Sequence, residues 1–104
     1  MPTPPPALSH AGLFILQALA QGHRFGFDIV EVTALPSGTI YPALRRLEAL
    51  DLVTSDWEND VKARSEGRPR RRYYKLTPSG KRQLSKAEAR FRAVDRLFTK
   101  RSAT

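Results

Sequence analysis

The chain contains no cysteine. This single absence excludes a disulfide framework, a cysteine-ligated zinc module and thiol catalysis. Only two histidines occur, His10 and His23, so a metal site would have to rest on carboxylates. Neither a metal nor a cofactor is expected. No apolar run approaches the length that crosses a bilayer, and the opening MPTPPPALSH has neither the basic start nor the small-residue cleavage site of a signal peptide. A cytoplasmic location without membrane contact is therefore expected. Ser, His and Asp are all present, yet no nucleophile stands in a GxSxG setting and no glycine-rich phosphate loop exists, so an enzyme is not expected. Acidic residues are in the minority: ten Asp and Glu stand against eighteen Lys and Arg in 104 residues, a formal net charge of +8. With a pI near 10.6, the chain calls for a polyanionic partner.

What is present is organised around Ser37 to Leu50, SGTIYPALRRLEAL. At about 100° per residue, Ile40, Leu44, Leu47 and Leu50 share one stripe, while Tyr41, Arg45, Arg46 and Ala49 look the other way. The stripe belongs to a core. The opposite face, with Ser37 and Thr39 at its start and arginines one turn on, suits a helix whose N-terminus is pushed toward phosphates and base edges in a DNA major groove. Taken alone, the same face also fits an ordinary solvated helix. Pro42 bears on where the helix begins: a start at Thr39 leaves the proline in the first turn, whereas a start at Ser37 places it deeper and costs more.

One domain of this length holds one modest core. Residues 1–8 read as a disordered Pro-rich lead-in. From Ser9 to Gln21 the sequence predicts a helix with Ser9 as N-cap and Gly22 as its stop. Leu13, Phe14, Ile15, Leu16, Ala18 and Leu19 leave it almost no polar face. Such a helix is buried on two sides, the second supplied either by another subunit or by the rest of its own core. Residues 26–35 suggest a short second helix with Phe27, Val30 and Ala34 inward, although β-branched content also admits a strand. Leu52 to Glu58 and Arg70 to Thr77 are rich in β-branched and aromatic residues and read as antiparallel strands. The segment between them is polar, contains Gly67 and Pro69, and reads as a flexible loop. From Lys62 to Arg72 there are six basic residues and one acid, Glu66. Such a loop describes a wing closing on phosphates, through Arg68, Arg70, Arg71 and Arg72.

Thr77-Pro78 opens a final helix, threonine at the N-cap and proline at the first helical position. Leu84, Ala87, Phe91, Val94 and Phe98 recur at spacings of three and four among basic residues. This apolar seam fits a partner helix, or failing that its own domain. The expected architecture is mainly α with a small β component: a winged helix-turn-helix over 9–77, with a two-stranded wing and a C-terminal dimerisation helix over 78–100.

GFDI at 26–29, GTIYPALRRLEALDLV at 38–53, Trp57-Glu58 and GRPRRRYYKLTPSG at 67–80 resemble the PadR-like transcriptional regulators over about residues 10 to 100. The single C-terminal helix is similar to the short subfamily. The resemblance implies a recognition helix in the major groove, Tyr41 and Thr39 on the backbone, Arg45 facing DNA, and Arg70 to Arg72 near the minor groove. It also implies a homodimer built on the first and last helices, here Leu13 and Leu16 with Leu84, Ala87, Phe91, Val94 and Phe98. Some relatives take aromatic or drug-like effectors between subunits. Here Phe14, Phe91, Val94 and Phe98 either line such a pocket for a small aromatic molecule or simply fill the seam. Two positions depart from the family pattern: Asp51 stands where Gly is usual and Phe27 where Tyr is common. The expected role is a DNA-binding repressor acting on an inverted repeat of double-stranded DNA. The alternative is a basic winged-helix accessory protein that binds RNA or DNA without reading sequence.

Overall fold

The structure, a computed structural model, describes residues 8–102, with side chains described as far as Phe98. The lead-in expected over residues 1–8 lies outside the described residues except for Leu8, which packs against the core. The elements run α1 (His10–Ala20), α2 (Gly26–Thr33), α3 (Ser37–Ala49), β1 (Val53–Trp57), α4 (Asp60–Ser65), β2 (Arg72–Leu76) and α5 (Pro78–Ser102). A mostly helical body carrying one antiparallel two-stranded sheet is the winged helix-turn-helix that the patterning implies.

α1 starts where Ser9 Oγ accepts the amide of Gly12 at 3.0 Å, which satisfies one of the first-turn N–H groups. It stops at Gly22, whose φ of +99° suits glycine. The helix is the central post of the domain. Ile15 and Leu16 are fully buried against a cluster that includes Ile29, Ile40, Leu44 and Val53. The subunit-facing assignment of Leu13 and Leu16 is corrected, since both are buried within the protomer, while Phe14 of the same helix is 43% exposed. Enough elements surround α1 because α2, α3, β2 and α5 all pack on it.

Residues 26–33 form a helix rather than a strand, but its inward residue is Ile29. Phe27, expected inside, is 67% exposed, and Ala34, a left-handed C-cap at φ 58°, is exposed too. The helix ends at Thr33, two residues short of the span that the pattern suggests, and Phe27 lies about 200° around it from the buried Ile29. α3 begins at Ser37 with Pro36 at the N-cap and no side-chain capping bond, so neither Ser37 nor Thr39 caps it. Pro42 thus sits inside the helix and denies the Gly38 carbonyl its usual i+4 donor, at a point where Gly38 is exposed to solvent. Ile40, Leu44 and Leu47 are buried as the stripe predicts, joined by Ala43. Leu50 is not: the helix has ended at Ala49, and Leu50 is half out in solvent. Asp51 takes the left-handed turn at φ 60° that leads into β1.

β1 and β2 pair from Val53↔Leu76 to Trp57↔Arg72. One ribbon face begins in the core with Val53 and Tyr74, then emerges with Ser55, Trp57 and Arg72. The loop from α1 docks on the other edge, Tyr74 N–H donating to the Arg24 carbonyl at 2.8 Å. The connection between the strands is not a flexible loop. It contains α4, capped by Asn59, whose Oδ1 accepts the Val61 amide at 2.8 Å, and anchored by the buried Ala63.

α5 opens as predicted: Thr77 Oγ1 accepts the Gly80 amide at 3.0 Å and donates to the Asp51 carbonyl at 2.6 Å. Leu84 is buried in the protomer's own domain, which withdraws it from an outer seam, and Ala87 is half-buried against the same core. Beyond them Phe91, Val94, Leu97 and Phe98 are exposed as the helix leaves the body. Gly80 fixes this departure, since a Cβ there would collide with the Leu52 carbonyl oxygen, a backbone atom with little freedom to yield. Gly80→Ala should therefore destabilise the domain by about 2 kcal/mol, read as a lower urea midpoint; a midpoint equal to wild type would show that α5 can shift on the body.

Candidate nucleic-acid interface

The outer face of α3 presents Gly38, Tyr41, Pro42, Arg45 and Ala49, all exposed. Arg45 lies near the centre of this face. Arg46 lies roughly 100° around the helix, on the flank toward Leu8, Ser9 and Leu50. The two adjacent arginines therefore address different directions. Ser37 and Thr39 are exposed on the first turn. Tyr41 is held rather than loose: its ring lies over Gly26 at the start of α2, so closely that a Cβ at residue 26 would sit 2.6 Å from the Tyr41 ring edge. The GFDI and TIYP segments are thus two sides of one contact.

Between α3 and the wing runs a cleft of about 430 Å³ lined by Tyr41, Arg45, Glu48, Ala49, Arg72 and Tyr74. Burial pushes the Tyr74 phenol above its ordinary range, so this hydroxyl keeps its proton. Strand alternation divides the three consecutive wing arginines. The guanidiniums of Arg70 and Arg72 lie 5.4 and 5.6 Å from the centre of the Trp57 ring. Arg71 points to the other face and lies 5.2 Å from the centre of the Phe25 ring, itself edge-on to Tyr73. Cation–π contacts of this kind hold flexible guanidiniums in place without neutralising them.

Arg68 is placed differently. It donates to Glu58 Oε1 at 2.5 Å and Oε2 at 2.8 Å, and to Glu66 Oε2 at 2.7 Å. Its side chain is largely covered, so the structure makes it a bolt inside the wing rather than a free arm for phosphates. Glu58, 7% exposed, is the buried charged residue of the core, and also receives the Arg71 amide at 3.4 Å. The pair closes the base of the α4 excursion. Sequence reasoning misses the holders Phe25, Glu48 and Ser55, and has Trp57 and Glu58 only as a pair in the family pattern, without a role. Among the described residues, no group of side chains is arranged to hold a metal ion, and no helix is long and apolar enough to cross a membrane.

The residues proposed for an effector pocket are only partly brought together. Phe14 and Phe91 face each other across a groove of about 380 Å³ between α1 and α5, lined also by Leu13, Gln17, Glu88 and Arg92. Val94 and Phe98 lie further along α5, outside that lining.

The family model for the transcriptional regulator PadR-like family matches residues 15–86. The chain belongs to the PadR-like family of transcriptional regulators. Among solved structures it is similar to a PadR family transcription regulator from hypervirulent Clostridium difficile R20291, at 28% identity and a TM-score of 0.77, over 88% of this chain and 97% of that one. A PadR family regulator from Eggerthella lenta DSM 2243 is similar at 29% identity and TM-score 0.70, over 89% and 84% of the two chains. A PadR-like transcription factor from Bacteroides fragilis is similar at 26% identity and TM-score 0.69, over 85% of each chain. None of the curated proteins matches. The matched family and these structural relatives are transcriptional regulators rather than enzymes.

The wing bolt carries a pH signature. The Arg68 guanidinium, through its hydrogen bonds to the carboxylate, holds Glu58 at about 2, well below the ordinary carboxylate value of 4.5. A carboxyl depressed in the folded state stabilises fully above its unfolded value and loses that contribution as pH falls through its folded value. Wild-type melting temperature should therefore drop between about pH 4.5 and pH 2, and Glu58→Gln, less stable at neutral pH, should show a shallower acid limb; parallel limbs would remove this role.

Proposed function

We propose that this PadR-like protein is a homodimeric repressor that binds an inverted-repeat operator in double-stranded DNA. One juxtaposition carries the reading: Tyr41 and Arg45 on α3 share a cleft with Arg72 of the wing, while α5 projects exposed apolar side chains away from that cleft. A DNA-facing side and a partner-facing side are thus separated on one small body. In this reading Arg45 reaches base edges, and Ser37, Thr39, Tyr41 and Arg46 engage the backbone on either side of α3. Arg70 and Arg71 meet phosphates from two faces of the wing, and Arg72 does so at the cleft. Arg68 serves the same end indirectly, by holding the wing closed.

The dimer in this reading forms through Phe91, Val94, Leu97 and Phe98, with Phe14 of α1 in place of Leu13 and Leu16. A two-fold axis through α5 would set two recognition helices about one DNA turn apart, roughly 34 Å, and so requires a palindromic site. A planar aromatic effector, especially an anionic one, fits the chemistry of the Phe14–Phe91 groove, with Arg92 and Gln17 as polar neighbours. Its preference for a splayed dimer would weaken DNA binding by the difference in its affinity for the two states.

Two measurements test this reading. Phe91→Glu with Val94→Glu should convert a dimer into monomers by analytical ultracentrifugation and abolish binding to a selected operator; a wild-type monomer at micromolar concentration would refute the assembly. Arg45→Ala should cost about 1 to 3 kcal/mol on the selected duplex and little on random DNA. Equal losses on both would make Arg45 a phosphate contact. If wild type holds random duplex and RNA as tightly as the selected duplex, the accessory-protein alternative replaces the repressor.

A further inference from the structure

A carboxylate on a surface that meets a polyanion repels its ligand. Glu48 is the single acidic residue of α3, and it lines the cleft that Tyr41, Arg45 and Arg72 share. Its surroundings give it another task. Ser55 Oγ donates to Glu48 Oε1 at 2.5 Å, and the same hydroxyl oxygen accepts from Arg72 Nε at 2.9 Å. Arg72 Nη2 lies 3.5 Å from that Glu48 oxygen. Arg72 in turn rests by the Trp57 ring, beside Arg70. A continuous line of side chains therefore runs from α3 across the cleft to the outer end of the wing.

We propose that Glu48 is a positioning residue of the DNA-reading surface: through Ser55 and Arg72 it fixes the wing at one distance and orientation from α3. The proposal rests on the DNA-reading function described above and assigns a specificity role within it. A wing free to move would follow phosphates on any duplex and supply affinity without information. A wing locked to α3 can reach its phosphates only when α3 is seated in one register against the bases. Glu48 thus lowers indiscriminate attraction and, by pre-organising the pair, raises discrimination. Arg72 is the bolt of this lock, which leaves Arg70 as the more available cation on that wing face.

The test separates charge from geometry. Glu48→Ala removes a negative charge and the lock together; Ser55→Ala breaks the relay without changing charge. Each is compared with wild type on a duplex that the wild-type protein selects from a random-sequence library, and on an unselected duplex of equal length. Glu48→Ala should bind the unselected duplex roughly threefold more tightly, while its preference for the selected duplex falls roughly fivefold or more. Ser55→Ala, with no change in charge, should reduce the preference in the same direction. Trp57 is the only tryptophan of the chain, so in the free proteins its acrylamide quenching should rise in both variants as the wing loosens. If Glu48→Ala tightens both duplexes equally and Ser55→Ala keeps the wild-type preference, Glu48 acts by charge alone and the proposal is overturned. Wild-type protein with no preference for any duplex would instead overturn the DNA-reading function, and this proposal with it.

Discussion

The burial of one helix underlies everything that faces outward. Ile15 and Leu16 of α1 are fully buried in one cluster with Ile29, Ile40, Leu44 and Val53, which come from α2, α3 and β1. Aliphatic side chains of this size gain about 1.5–3 kcal/mol each on complete burial, and close packing makes their positions interdependent. Because α1 sits in the middle, α3 and the wing take their relative placement from a shared support, and α5 leaves from the same support through Leu84. A small domain has room for one such post, which explains why α1 has almost no polar face.

Upon that apolar frame the basic surface is managed by a few deliberate pairings. Net charge of +8 favours a polyanion but repels itself, and long arginines move freely unless held. Glu58 takes Arg68, Trp57 takes Arg70 and Arg72, and Phe25 takes Arg71. Only the first of these removes a charge from the surface. The other contacts keep guanidiniums charged while limiting where they point, so the wing presents its cations in fixed places.

Local patterning is enough to read the core stripe of α3 and the openings of α1 and α5. The stripe of Ile40, Leu44 and Leu47, the Ser9 cap and the Thr77-Pro78 opening all follow from chemistry within a few residues, and the structure has them as read. The errors came where distant chain segments decide. Spacing alone places Phe27 inside, but Ile29, about 200° around the same helix, takes the core position because α1 and α3 pack on that side. Leu13 and Leu16 were given to a partner because a one-dimensional reading cannot count how many elements will surround α1. The Arg68 pairing with Glu58 spans a loop that looked flexible by composition, and the contact exists only after α4 folds. Periodicity likewise could not divide Leu84, which is buried, from Phe91, which is not, since both lie on one seam.

The contact between Gly26 and the Tyr41 ring makes two distant positions answer to one another. A bare backbone at 26 is what allows a large ring at 41 to lie flat against the start of α2. Among natural variants of this chain, a side chain at 26 should appear only together with a smaller residue at 41, and the pair should drift as a unit. The opening of α2 therefore limits which residues evolution can try on the exposed face of α3.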